Sequence, residues 1–132
     1  MKKPILWVPA LVLAGIFISI SLHAQSSPKT HYLTIKKIKN EWKVVDSEDS
    51  TKIRVTAKRG EKIVWTAEGS DVYFQFMDEN LFGRFKHELK DGKKLTLPIG
   101  QAAKLGPNPY AVFCIADKEY ATGNSPPTII IE

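Results

Sequence analysis

Apolar and polar residues alternate with a period of two along most of the chain beyond residue 30. Leu33 and Ile35 alternate with Tyr32, Thr34 and Lys36. Ile53, Val55 and Ala57 form one face of a strand whose other face is Arg54, Thr56 and Lys58, and Val72, Phe74 and Phe76 share a face opposite Tyr73. Alternation over such short runs marks half-buried β-strands. Trp42 to Val45, Ile63 to Thr66, Leu95 to Leu97, Tyr110 to Ile115 and Thr128 to Glu132 extend the series with β-branched and aromatic residues. Turn signals separate them: Arg59-Gly60-Glu61, Gly69-Ser70-Asp71, and Asp91-Gly92 between Glu88-Leu89 and Leu95-Thr96-Leu97. Helix candidates are confined to Glu79–His87 and one turn at Gln101–Leu105. Seven or eight strands without a long amphipathic helix predict an all-β sandwich rather than an α/β fold. Its expected core is Leu33, Ile35, Ile53, Val55, Ile63, Trp65, Phe74, Phe76, Leu95, Leu97, Tyr110, Val112, Ile129 and Ile131.

The first 24 residues follow a different rule. Lys2 and Lys3 precede an uncharged, mostly apolar run from Ile5 to Leu22, which ends near Leu22-His23-Ala24. That is the layout of a secretory signal cleaved after Ala24. The same run is also long enough to be retained as a membrane anchor, and bulky Leu22 is not ideal for cleavage. Either outcome puts the remainder outside the cytoplasm, as a periplasmic or secreted protein. Gln25 to Thr30 reads as a flexible leader, and residues 31–132 as one β-sandwich domain.

Charge narrows the function classes only slightly. The formal net charge of +5 falls to +3 without Lys2 and Lys3. Lys36, Lys37, Lys39 and Lys43, and then Lys86, Lys90, Lys93 and Lys94, form two basic groups of the kind that solvate strand faces and protect sheet edges. No nucleic-acid-binding motif accompanies them. Gly-x-Ser-x-Gly, His-Glu-x-x-His and phosphate-cradling glycine loops are all missing, so no catalytic residue is nominated. The single cysteine, Cys114, excludes an internal disulfide.

Cys114 ends the strand Pro109-Tyr110-Ala111-Val112-Phe113-Cys114, with Tyr110 and Val112 on its face. Val55 to Thr66 carries a charged glycine turn into a strand bearing Trp65, Leu95 to Gly100 is a strand and turn, and Thr128 to Glu132 closes the chain. In this order the segments resemble a cupredoxin, over roughly residues 50–132. The resemblance implies a Greek-key antiparallel β-sandwich, with paired strands around Gly60 and a mononuclear copper site built on the cysteine. Such a site needs two imidazoles, a thiolate and a weak axial thioether. Neither 69–74 nor the loop after Cys114 holds a histidine, and Thr122 to Pro126 holds no methionine. The resemblance therefore implies a sandwich whose copper site is degenerate.

Two functional readings follow. In the first, the domain binds a protein or small ligand outside the cytoplasm and carries no cofactor. Its loops at the cysteine end would gather Ser70 to Tyr73, Phe82, Phe85 and Ile115 to Pro127, with Tyr73, Phe82, Phe85 and Tyr120 as contact candidates. Contact with a membrane would come only through an uncleaved N-terminal segment. In the second, copper is held in a non-standard site by Cys114, Met77 and His87. Otherwise Cys114 is a buried core thiol, and His87, flanked by Lys86 and Glu88, is a surface residue.

Overall fold

A hairpin starts the fold. In the computed structural model, which describes residues 28–122 and 126–132, β1 (Thr30–Ile38) turns through Lys39 and Asn40 into β2 (Glu41–Asp46). Both turn residues have positive φ, 50° and 69°, as a two-residue hairpin loop matching the strand twist requires. The chain continues through β3 (Arg54–Ala57), β4 (Lys62–Ala67), β5 (Val72–Phe76) and a single helical turn, α1 (Glu79–Phe82). Then come β6 (Lys86–Leu89), β7 (Lys94–Pro98), β8 (Gly106–Cys114), β9 (Glu119–Tyr120) and β10 (Thr128–Ile131). The signal expected over 1–24 and the start of the leader lie outside the described residues.

The strands form two sheets. One has the order β2-β1-β4-β7, the other β3-β10-β8-β5-β6 with β9 alongside β8. This is the β-sandwich expected from the motifs, and every segment carrying the resemblance is a strand or turn in the expected order. Two details differ. β1 runs parallel to β4, and β10 parallel to β3, so each sheet contains one parallel pair. The strands flanking Gly60 are not partners: β3 belongs to one sheet and β4 to the other. Likewise Asp91-Gly92 makes a tight turn, with Lys93 N–H donating to the Lys90 carbonyl at 3.0 Å, but it carries the chain from β6 in one sheet to β7 in the other. Local turn chemistry fixes the reversal and leaves the choice of partner strand to packing.

Strand β8 contains Pro107 and Pro109, which would ordinarily break a central strand. Here they lose nothing. Tyr110 N–H donates to the Pro127 carbonyl, so by alternation the proline nitrogens point away from β10. On that other side β5 ends at Phe76, opposite Tyr110. The ring nitrogens thus face a margin with no ladder to complete.

The core forms where the two inner faces meet. Leu33, Ile35, Trp42, Val44, Ile63 and Trp65 from one sheet oppose Val72, Phe74, Phe76, Tyr110, Val112, Cys114, Ile129 and Ile131 from the other. Ile53 was expected here but is 42% exposed, because β3 starts one residue later and Ile53 has no strand partner to hold it inward. Leu95 and Leu97 are only partly buried, since β7 is an edge strand paired with β4 alone. The helix expected over Glu79–His87 stops at Phe82. Asp78 caps its start, accepting a hydrogen bond from Asn80 N–H, and Gly83 ends it in the left-handed conformation. Gly100 packs against this turn. A Cβ there would run into the Asn80 carbonyl, while the Gly100 N–H donates to the Leu81 carbonyl.

At the centre, Trp65 of one sheet donates its indole N–H to the Tyr110 hydroxyl of the other at 3.1 Å. Phe74 and Phe82 lie 5.1 Å and 5.3 Å from the Trp65 ring, Phe82 edge-on. Burial pushes the Tyr110 phenol well above its usual range, against the Trp65 hydrogen bond. Tyr110→Phe removes the acceptor and strands the buried indole donor. We expect it to cost about 1–3 kcal/mol, read as a lower urea midpoint with an unchanged slope.

Candidate functional site

Two surfaces compete for the functional role: the end of the sandwich at Cys114, and the outer face of the sheet containing β5, β6, β8 and β9. Among the described residues the first is closed. Cys114 is fully buried on the inner face of β8, and burial pushes its thiol up to about 11, with Asp117 and Glu119 adding to the shift. The chain reverses at once after it: Glu119 pairs back onto Cys114, and Tyr120 onto Phe113. Residues where the cupredoxin pattern would put an imidazole are therefore spent on a tight hairpin. Its Asp117 accepts hydrogen bonds from the Trp42 indole at 2.8 Å and from Lys37 at 2.7 Å. These bonds, Lys37 first, hold the Asp117 carboxyl below the usual carboxylate range.

The neighbouring loop is tied to the same hairpin. Ser70 Oγ accepts from Ala116 N–H at 2.9 Å and donates to the Asp71 carbonyl, which also accepts from Ile115 N–H. Gly69, at φ 101°, lies beneath Trp42, where a Cβ would stand 3.3 Å from the ring. A hydrogen-bonded seam with an indole over it closes this end.

The donors proposed for copper are scattered. Cys114 faces Val72 across the ladder, while Met77 follows Phe76 just beyond the far end of β5, five residues from Val72. At about 3.4 Å per residue this is roughly 17 Å. His87 is opposite Phe74, and Phe74 opposite Val112, so His87 lies two strands and two residues from Cys114. That separation is on the order of 12 Å, with Phe74 between. Met77 is also 78% exposed. Among the described residues no three His, Cys, Asp or Glu side chains are gathered as a metal would need. The donor set does not fit the two-imidazole, one-thiolate site.

His87 corrects another expectation. Its charged neighbours predict a surface residue, yet it is 6% exposed. On β6 those neighbours, Lys86 and Glu88, point outward while His87 and Leu89 point in. Its ring meets Phe76 edge-on at 5.8 Å, and Nε2 has no hydrogen-bond partner. Burial, then the nearby Arg84 charge, pulls its pKa below the ordinary value, against a hydrogen bond to the Phe82 backbone.

The contact candidates also separate. Phe82 is buried against Trp65 and Phe76, which removes it from any surface. Phe85 is exposed, but its carbonyl accepts from Phe76 N–H, at the opposite end of β5 from Val72 and Cys114. The expected cluster of Phe82, Phe85 and the 115–127 loop at one end does not form; residues 123–125 of that loop lie outside the described residues.

Tyr73 and Tyr120 do come together. Tyr73 pairs with Phe113 across β5–β8, and Phe113 with Tyr120 across β8–β9. The Phe113 and Tyr120 rings are 5.0 Å apart and tilted by 64°. Both tyrosines are about half exposed, 48% and 58%. With Gln75, Ala111, Arg84, Lys86 and Glu88 they line a groove of about 820 Å³ on the outer sheet face. Phe113 and Ala111 went unnoticed in the sequence, although their alternation opposite Val112 and Cys114 already assigned them to the outer face.

No protein-family model matches the sequence, and no curated protein matches it. Among solved structures the chain is similar to a Cu(I) form of an amicyanin mutant, at 14% identity over 83% of this chain and 88% of that one, with a TM-score of 0.46. It is similar also to a purple cupredoxin from Nitrosopumilus maritimus, at 12% identity over 77% and 99% of the two chains, with a TM-score of 0.47. A likeness at this level says nothing about the site.

The buried imidazole has a measurable consequence. In the unfolded chain His87 titrates near its ordinary 6.5, whereas the folded protein resists the proton. Its contribution is therefore complete above about pH 6.5 and is lost as pH falls below that value, by at most about 1.4 kcal/mol per unit. Urea unfolding between about pH 5 and 7 should show this slope, and His87→Leu should flatten it. An unchanged slope in that variant would place the titration elsewhere.

Proposed function

We propose that this chain is exported and acts in the periplasm or outside the cell as a binding module without a type 1 copper site. Its contact surface is the outer-face groove between Tyr73 and Tyr120. The observation that carries the reading is the meeting of these two exposed tyrosines, 47 residues apart in sequence, on either side of Phe113. Half-exposed tyrosines supply contact area with a polar tip at low conformational cost, which suits them to recognition. Two further facts support it. The Cys114 end is occupied by Trp42, Asp117 and Ser70 rather than open to a metal. Among the described residues no helix is long and apolar enough to cross a membrane.

Two measurements test the reading. Cu(II) added to the purified protein should give no intense visible thiolate-to-copper absorption, since the paired imidazoles that tune such a site are missing. A strong band that disappears in Cys114→Ser would restore the copper reading. Affinity capture from the extracytoplasmic fraction, with the wild type as bait, should lose its specific partner in the Tyr73→Ala/Tyr120→Ala double variant and keep it in Cys114→Ser. Recovery that depends on Cys114 or on added copper, and ignores both tyrosines, would sink the binding reading.

A further inference from the structure

The groove has a chemical polarity beyond its aromatic wall. Register sets Glu88, Tyr73, Phe113 and Tyr120 side by side across β6, β5, β8 and β9. Two residues along, Lys86, Gln75 and Ala111 make a second row. The first row carries the three rings, and the second has its smallest side chain at Ala111. Three steps of about 4.8 Å between strands give the groove a length of roughly 14 Å. Its volume of about 820 Å³ falls within the range of small-ligand sites, about 300–1,000 Å³.

Charge is concentrated at one end. Arg84 and Lys86 line the groove at its β6 margin. Among the described residues, all four ion pairs are made by other side chains. The one acid in the lining, Glu88, stands at the head of the aromatic row beside Tyr73. A polyanion lying along the groove would carry charge past Glu88 and across three rings, where the lining has no cation to meet it. A single acidic group at the β6 end meets two cations, one of them a guanidinium whose planar fork matches a carboxylate. The remainder of such a ligand would lie on ring faces and edges and the Ala111 methyl, which favour a flat apolar body.

We propose that the groove binds a small aromatic carboxylate, its acid held by Arg84 and Lys86 and its ring over Ala111 against Tyr73, Phe113 and Tyr120. The proposal rests on the groove being the binding surface and adds the chemistry of what it binds.

The test is a titration of ¹⁵N-labelled protein, expressed from the full-length sequence, with 3-phenylpropionate, its neutral amide and a heparin fragment. The acid should shift the Tyr73, Gln75, Lys86, Ala111 and Phe113 amides saturably and bind at least fivefold more tightly than the amide. Arg84→Gln/Lys86→Gln, two exposed positions, should weaken the acid at least fivefold and abolish the preference over the amide while leaving the urea midpoint unchanged. Equal affinity for acid and amide would overturn the carboxylate while leaving the groove as a binding surface. Tighter binding of heparin at the same amides would replace it with a polyanion site. No shift with any probe, while partner capture still depends on Tyr73 and Tyr120, would reject the ligand class alone; loss of both would reject the groove.

Discussion

The bond from the Trp65 indole to the Tyr110 hydroxyl ties the two sheets together at the buried centre of the sandwich. With a single cysteine the chain has no disulfide to join them, and β4 and β8 share no ladder. What holds the faces in register is an aromatic cluster, Trp65, Phe74, Phe76, Phe82 and Tyr110, around that one buried polar contact. A purely apolar cluster permits sliding, whereas a directional bond inside it leaves few alternatives of equal energy. The outer face inherits this order. Because Phe74, Phe76, Tyr110 and Val112 are committed inward, Tyr73, Gln75, Ala111 and Phe113 must stand outward in matching rows.

Closure of the Cys114 end follows from how its polar groups are satisfied. Asp117 takes two donors from the opposite sheet, Ser70 uses its hydroxyl both ways, and Trp42 covers Gly69. A thiol pushed up to about 11 in such surroundings is protonated at neutral pH and behaves as a small apolar side chain. The same residue type that ligates copper when flanked by imidazoles serves here as packing.

Legibility from sequence divides along a physical line. Alternation is a local property, so faces were readable: Tyr110, Val112 and Cys114 inward, Tyr73 opposite Phe74 and Phe76. Pairing is not local. Nothing in Asp91-Gly92 says that β6 and β7 part into different sheets, and nothing in β1 or β4 announces a parallel match. His87 was misjudged because its neighbours in sequence are not its neighbours in space; on a strand they point the opposite way. Phe82 falls inside the expected helix, but a single helical turn is too short to show which of its faces is buried. The groove was half legible, through Tyr73 and Tyr120. Lys86, one row over from Tyr73 and opposite Gln75, emerges only when β6 is laid beside β5.

The first and last strands both lie inside their sheets, β1 between β2 and β4, and β10 between β3 and β8. A chain end that leaves from an edge can be peeled away one hydrogen bond at a time. Tension along β1 or β10 instead loads two flanking ladders together, in shear, so many bonds must yield at once. Pulled by its ends, this domain should resist as a clamp and fail abruptly, a mechanical character that comes from the order of its strands and not from the strength of any one contact.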